Sequence, residues 1–198
     1  LGLYNAPWTR AHRLEFIQRA GLSFPDGYYE DLPWTMCGLM AAERIAVLDR
    51  VVVQYRQREV GSVLRSPGRR HFDVFEQWER VFEELAAHPE WERYRPELFA
   101  FMISQFDAML MNPIRVPSEF RAEFFRLAAR ACGQHRPAGW RPPRGGLLRG
   151  TALRQVALVR GRFALHDAVA RSKPRVDRAK ELARGVARRP RGLERREE

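Results

Sequence analysis

The sequence predicts a mostly α-helical protein that opens with a short α/β segment, and three observations carry the prediction. Between residues 71 and 132, long stretches place apolar residues at helical spacing. Only two brief runs, Ile45 to Leu48 and Val51 to Tyr55, have the β-branched, apolar composition of strands. A run rich in Pro and Gly, from Arg136 to Gly146, then sets off a basic end. The organisation expected is an α/β part over residues 1–66, a helical subdomain over 67–135, a linker over 136–146 and a basic helical tail over 147–198.

Each element has its own reason. Residues 9–20 have helical character, with Leu14, Phe16 and Ile17 available for burial and Arg10, Arg13 and Arg19 facing outward or toward a ligand. Gly21 fits the stop. Phe24-Pro25-Asp26-Gly27 is turn chemistry, because Pro fixes one dihedral and Gly permits a positive one. The turn delivers Tyr28-Tyr29-Glu30-Asp31 to a helix expected over about residues 32–43, where Pro33 is tolerated in the first turn. The two β-branched runs follow, separated by Asp49-Arg50, and would finish a sheet. Val74, Phe75, Trp78, Val81, Phe82 and Leu85 form the stripe of a helix over 71–87, closed by His88-Pro89. Phe99, Met102, Phe106, Met109 and Leu110 do the same over 96–111, and Phe120, Phe124, Leu127 and Ala131 over 117–132. Aromatic stripes of this kind are core material. In residues 147–165, Leu148, Val156, Val159 and Phe163 alternate with Arg149, Arg154, Arg160 and Arg162, the pattern of a basic amphipathic helix.

The charge is unevenly placed. The chain carries a net +11, yet residues 136–198 hold 18 Lys and Arg against 6 Asp and Glu, while the first 135 residues hold 17 against 18. The excess lies in the tail, a distribution that argues against a nucleic-acid reading of the net charge; a basic tail suits an anionic surface, either lipid headgroups or nucleic acid. No apolar run approaches the roughly 20 residues of a spanning helix, and no basic-then-apolar leader opens the sequence, so the chain reads as soluble or peripheral. Cys37 and Cys132 lie in apolar helical runs without pairing or zinc spacing, which reads as two reduced thiols of a cytosolic protein. His12, His71, His88, His135 and His166 show no metal-ligand spacing and are expected at surfaces or caps.

The acidic pair Glu30-Asp31 is the candidate for chemistry. A carboxylate at the mouth of a buried helix is tuned by apolar surface and backbone amides while staying reachable, which is what a general base needs. The same pair also fits a helix start that complements the macrodipole.

The order of the surrounding blocks narrows the reading. Pro7-Trp8-Thr9-Arg10 with Leu14-Glu15-Phe16-Ile17, then Gly21-Leu22-Ser23-Phe24-Pro25-Asp26-Gly27, Tyr29-Glu30-Asp31, Ile45 to Asp49, Val53 to Arg58 and Gly61-Ser62 follow one another over roughly residues 6–66. This succession resembles the second half of bacterial family 2 glycosyltransferases of the GT-A type, with Thr9-Arg10 standing where the family has Asn-Lys. The resemblance implies that residues 1–66 are the α/β remnant of a GT-A domain and that the enzyme inverts at a sugar carried by a nucleotide diphosphate. It implies Asp31 as the base, Glu30 as its support, Trp8, Thr9 and Arg10 at the acceptor, and Arg56, Arg58 and Ser62 near the donor diphosphate. It also implies a divalent metal, Mg or Mn, held by an amino-terminal half whose nucleotide-binding strands and Asp-x-Asp motif are not among these residues. None is expected on this chain alone, which reads as an inactive fragment. The acceptor implied is a cell-envelope polysaccharide, a teichoic-acid-like polymer or a lipid-linked glycan, at the cytoplasmic face of the membrane. A portion of a protein resembling CDP-glycerol glycerophosphotransferases is a variant of this reading. The alternative is a non-catalytic helical adaptor whose tail binds anionic membrane or nucleic acid.

Overall fold

The computed structural model describes residues 6–54, 67–141 and 149–172. Every regular element among them is helical. A 3-10 turn at Pro7–Thr9 leads to α1 (Leu14–Arg19), α2 (Asp31–Ala41), α3 (Asp73–Ala87), α4 (Arg95–Leu110), α5 (Arg121–His135), α6 (Arg149–Val159) and α7 (residues 163–172). The protein is therefore mostly α, as the periodicity predicts.

The helices from α3 to α5 begin and end within a few residues of the expected positions because each carries its own stripe. In α3 the buried residues Val74, Gln77, Trp78, Val81, Phe82 and Leu85 repeat at intervals of three and one. Trp78, Phe99, Phe106, Phe124 and Phe125 are almost wholly buried and join α3, α4 and α5 into one core. Phe75 lies 5.1 Å from Phe106 and 4.7 Å from Phe124, centroid to centroid. The Trp78 indole donates to Gln105 Oε1 at 2.7 Å, so its one polar atom is satisfied. The face of α2 bearing Leu32, Met36, Cys37 and Met40 packs on α3 and closes this core. Burial pushes the Cys37 and Cys132 thiols up to about 12, which keeps both protonated and inert.

Two expectations are corrected. Residues 45–54 form no strand; Ile45, Val47, Leu48, Val51, Val52 and Val53 are 40% to 83% exposed. β-Branched composition favours extended backbone, but a strand also needs a neighbour to complete its ladder, and none stands beside this run among the described residues. The helix expected over residues 9–20 shortens to Leu14–Arg19, which buries no residue and leaves Leu14 exposed.

The carboxyl-terminal helices join the main core. Ala157, Leu158 and Val159 of α6 are buried, α6 packs on both α4 and α5, and Phe163 of α7 meets Phe125 at 5.2 Å. Gly161, at φ +64, reverses the chain between the two helices: its amide donates to Leu158 O at 3.0 Å and that of Arg162 to Ala157 O at 2.8 Å. The reversal returns His166 and Asp167 to the bundle. Arg154, expected on a basic outer face, is 5% exposed and forks onto Asp107 of α4 at 2.7 and 2.8 Å. His166, fully buried, lies 3.1 Å from the same carboxylate. Arg121 of α5 reaches Asp167 and the Leu110 carbonyl. Ala157, Leu158 and Val159 of α6 thus face protein while Leu153 stays exposed, and a buried ionic cluster tethers α6 and α7 to α4. Residues 173–198 of the tail lie outside the described residues. No helix among the described residues is long and apolar enough to cross a membrane.

Candidate functional site

The acidic pair is presented by a turn fixed from several sides. Gly27 has φ +100, and a Cβ there would stand 3.1 Å from Asp73 Oδ2 and 3.3 Å from Gln77 Nε2, so a larger residue would be strained and would press on α3. Asp73 accepts the Tyr28 amide at 2.9 Å, and Gln77 donates to the Asp26 carbonyl at 2.9 Å. Among the described residues Tyr29 is the one non-glycine with a positive φ, +66. A side chain in the left-handed region costs of order 1–3 kcal/mol and persists only where its surroundings enforce it. Here they do. Tyr29 shares a 2.6 Å hydrogen bond with Nδ1 of fully buried His71, and the Leu32 amide donates to the Tyr29 carbonyl at 2.9 Å. Burial, against the opposing charge of Arg115 and with smaller help from Asp31, pushes the Tyr29 hydroxyl up to about 12, so it remains neutral.

Asp31 follows as the first residue of α2, half-buried, while Glu30 before it is exposed. Burial, and then the charge of Glu30, raises the Asp31 carboxyl to about 6, against a smaller opposing pull from a backbone hydrogen bond. A carboxyl so placed is mostly ionised at neutral pH and far more basic than an ordinary aspartate. Its chemical capacity is to take a proton.

The other expected site residues are distributed unevenly. Trp8 lies in the 3-10 turn Pro7–Thr9, half-exposed, and this turn packs on α2, the helix whose first residue is Asp31. Thr9 is occupied locally, its hydroxyl donating to Ala6 O at 2.7 Å, and Arg10 Nη1 reaches the same carbonyl at 3.5 Å. Partial burial lowers the Arg10 guanidinium pKa. Arg56, Arg58 and Ser62 lie outside the described residues.

Sequence reasoning missed the contribution of α3 and its approach. His71, expected at a surface or cap, is fully buried beneath Tyr29, and His135 and His166 are buried as well; His12 is half-buried, and His88, bonded at 2.9 Å to Glu84 O, sits at the end of α3 as expected. His71 is separated from Tyr29 by 42 residues, so no local spacing could have paired them. An aromatic group beside α2 was also missed: Phe24 stacks on Trp34 at 4.3 Å, and His12 meets Trp34 edge-on at 5.8 Å. Among the described residues no group of three or more His, Cys, Asp or Glu is arranged to hold a metal ion. In comparisons with known proteins, no family model, no curated protein and no solved structure matches the chain.

Proposed function

We propose that the chain supplies the acceptor side of an inverting glycosyltransferase site of the family 2 kind, with Asp31 as the base. In this reading an acceptor hydroxyl attacks the anomeric carbon of a nucleotide-diphosphate sugar. The new carbon–oxygen bond forms as the bond to the diphosphate breaks, the diphosphate leaves with that electron pair, and the hydroxyl proton passes to an Asp31 oxygen. The observation that carries the reading is the placement of Asp31: a half-buried carboxyl at the first turn of α2, raised to about 6 and presented by a pinned turn. A base with a pKa near the working pH combines the correct protonation state with useful basicity. Trp8 is half-exposed, and an indole is a side chain suited to packing on a sugar. Glu30 maintains the negative field that raises Asp31. In this proposal the nucleotide and any divalent metal are held by residues outside these 198. Because Ala157, Leu158 and Val159 of α6 are engaged with the core, attraction to an anionic membrane rests mainly on the charges of the tail.

The test compares the purified 198-residue chain with a polypeptide joining it to a nucleotide-binding GT-A half, by release of nucleoside diphosphate from nucleotide sugars in the presence of lipid-linked and polymeric acceptors. Turnover is expected only in the joined protein. Turnover by the chain alone, or none by the joined protein with any donor, would overturn the proposal.

A further inference from the structure

The support for the acidic turn comes from beyond the stretch that resembles a transferase. Its hydrogen bonds run to three positions within seven residues of one segment: His71 in the turn before α3, Asp73 at the start of α3, and Gln77 one turn further on. They span 42, 45 and 51 residues of chain, so each is a tertiary choice with no local origin. His71 and Gln77 are both fully buried, where apolar side chains would fill the same volume at lower cost. Gln77 even leaves its Oε1 buried without a hydrogen-bond partner while its Nε2 holds the Asp26 carbonyl. Gly27 is pressed against Asp73 and Gln77, and Tyr29 is held in a conformation its side chain disfavours. Polar burial, close approach and backbone strain all converge on residues 26–29, just before Glu30 and α2.

We propose that the start of α3 is a brace for the acidic turn, in which His71, Asp73 and Gln77 are positioning residues that fix how Asp31 is presented; this rests on the reading of Asp31 as the base. The helical subdomain is then part of the support of the site. Asp73 sets the Tyr28 amide, His71 sets the Tyr29 ring, and the two together fix the left-handed step after which the chain enters α2. Slackening either bond lets the turn lift from α3 and admits water to the Asp31 carboxyl.

The experiment uses the full 198-residue chain and needs no substrate. The Asp31 carboxyl is titrated by carbon-13 NMR, and exchange of the Tyr28 amide is measured by hydrogen–deuterium exchange, in the wild type, Asp73→Ala, Asp73→Asn and Tyr29→Phe. The wild-type midpoint is expected at about 6. In Asp73→Ala the Tyr28 amide should exchange at least about tenfold faster, the scale set by a hydrogen bond to a charged group, and the Asp31 midpoint should fall toward the ordinary value of about 4. Asp73→Asn retains an acceptor oxygen and should restore both. Tyr29→Phe keeps the ring, loses only the hydroxyl, and should lower the Asp31 midpoint, which decides the matter if Asp73→Ala does not fold. A loss of overall stability alone would move the melting temperature and leave the midpoint in place. An unmoved midpoint in folded Asp73→Ala or in Tyr29→Phe overturns the brace while leaving the base reading standing. Conversely, a transferase that stays active with Asp31→Asn overturns the base reading without touching these titrations.

Discussion

Asp31→Asn should make the protein more stable at neutral pH, which is the reverse of what deleting a structural charge does. A carboxyl raised from 3.8 to about 6 favours its protonated form in the folded state. Between those values the native protein binds more protons than the unfolded chain, so stability falls as pH rises, and the loss is complete above about 6. A rise from 3.8 to about 6, taken at about 1.4 kcal/mol per pH unit, corresponds to roughly 3 kcal/mol. Asp31 is partly exposed, so solvent screening reduces this to about 1 kcal/mol. Asparagine carries no charge to desolvate and has nearly the same shape. For a chain of this size the expected gain is about 2–4 °C in melting temperature at pH 7.5, shrinking as pH is lowered through 6 and gone below about 4. Thermal unfolding of both proteins by calorimetry at several pH values measures it. A melting temperature lowered by Asp31→Asn at neutral pH, or a gain independent of pH, would refute the reasoning and favour a helix start stabilised by its charge.

The buried cluster and the turn give two further expectations. Arg154→Leu leaves the buried Asp107 carboxylate with His166 as its remaining partner and should cost about 3–5 kcal/mol at neutral pH, whereas Asp107→Leu with Arg154→Leu should cost much less; denaturant titration of both separates a lost attraction from an undercompensated charge. Burial alone would raise Asp107, but hydrogen bonds from His166 and Arg154 and their charges hold it below its ordinary value. Its stabilisation is therefore present above about pH 4 and lost as pH falls through the lowered value. The single-variant penalty should accordingly shrink in acid, where Asp107 is protonated. Gly27→Ala should cost roughly 1–3 kcal/mol from its positive φ and the approach of Asp73, while Gly133→Ala, with open space around it in α5, should gain about 0.5–1 kcal/mol; melting temperatures of the pair check both signs.

What the sequence made legible divides by distance along the chain. The helices α3, α4 and α5 announce themselves because their burial is periodic within each segment, and Gly21 and the Phe24–Gly27 turn because their chemistry is local. Asp31 at a helix mouth was legible for the same reason. What was not legible depends on partners far away in sequence. Arg154 reads as one of several exposed arginines until Asp107, 47 residues earlier, is placed beneath it. His71, His135 and His166 read as surface groups because polar type outweighs position when their partners are unseen. Ile45 to Val53 shows the opposite failure: composition signals a strand, but a ladder belongs to two segments and composition reports on one. The brace on the acidic turn combines these limits, since each of its bonds joins positions more than 40 residues apart.

The most direct test of the central claim is the pH dependence of kcat/KM in the joined transferase with and without the Asp31→Asn substitution. The wild type should show a rate that rises with pH through about 6, the value set at Asp31 by burial and Glu30. Asp31→Asn should lower turnover by about a hundredfold to ten-thousandfold, abolish that rising limb and leave donor binding nearly unchanged. A variant that keeps more than about a tenth of wild-type turnover, with the same rising limb, would contradict the account.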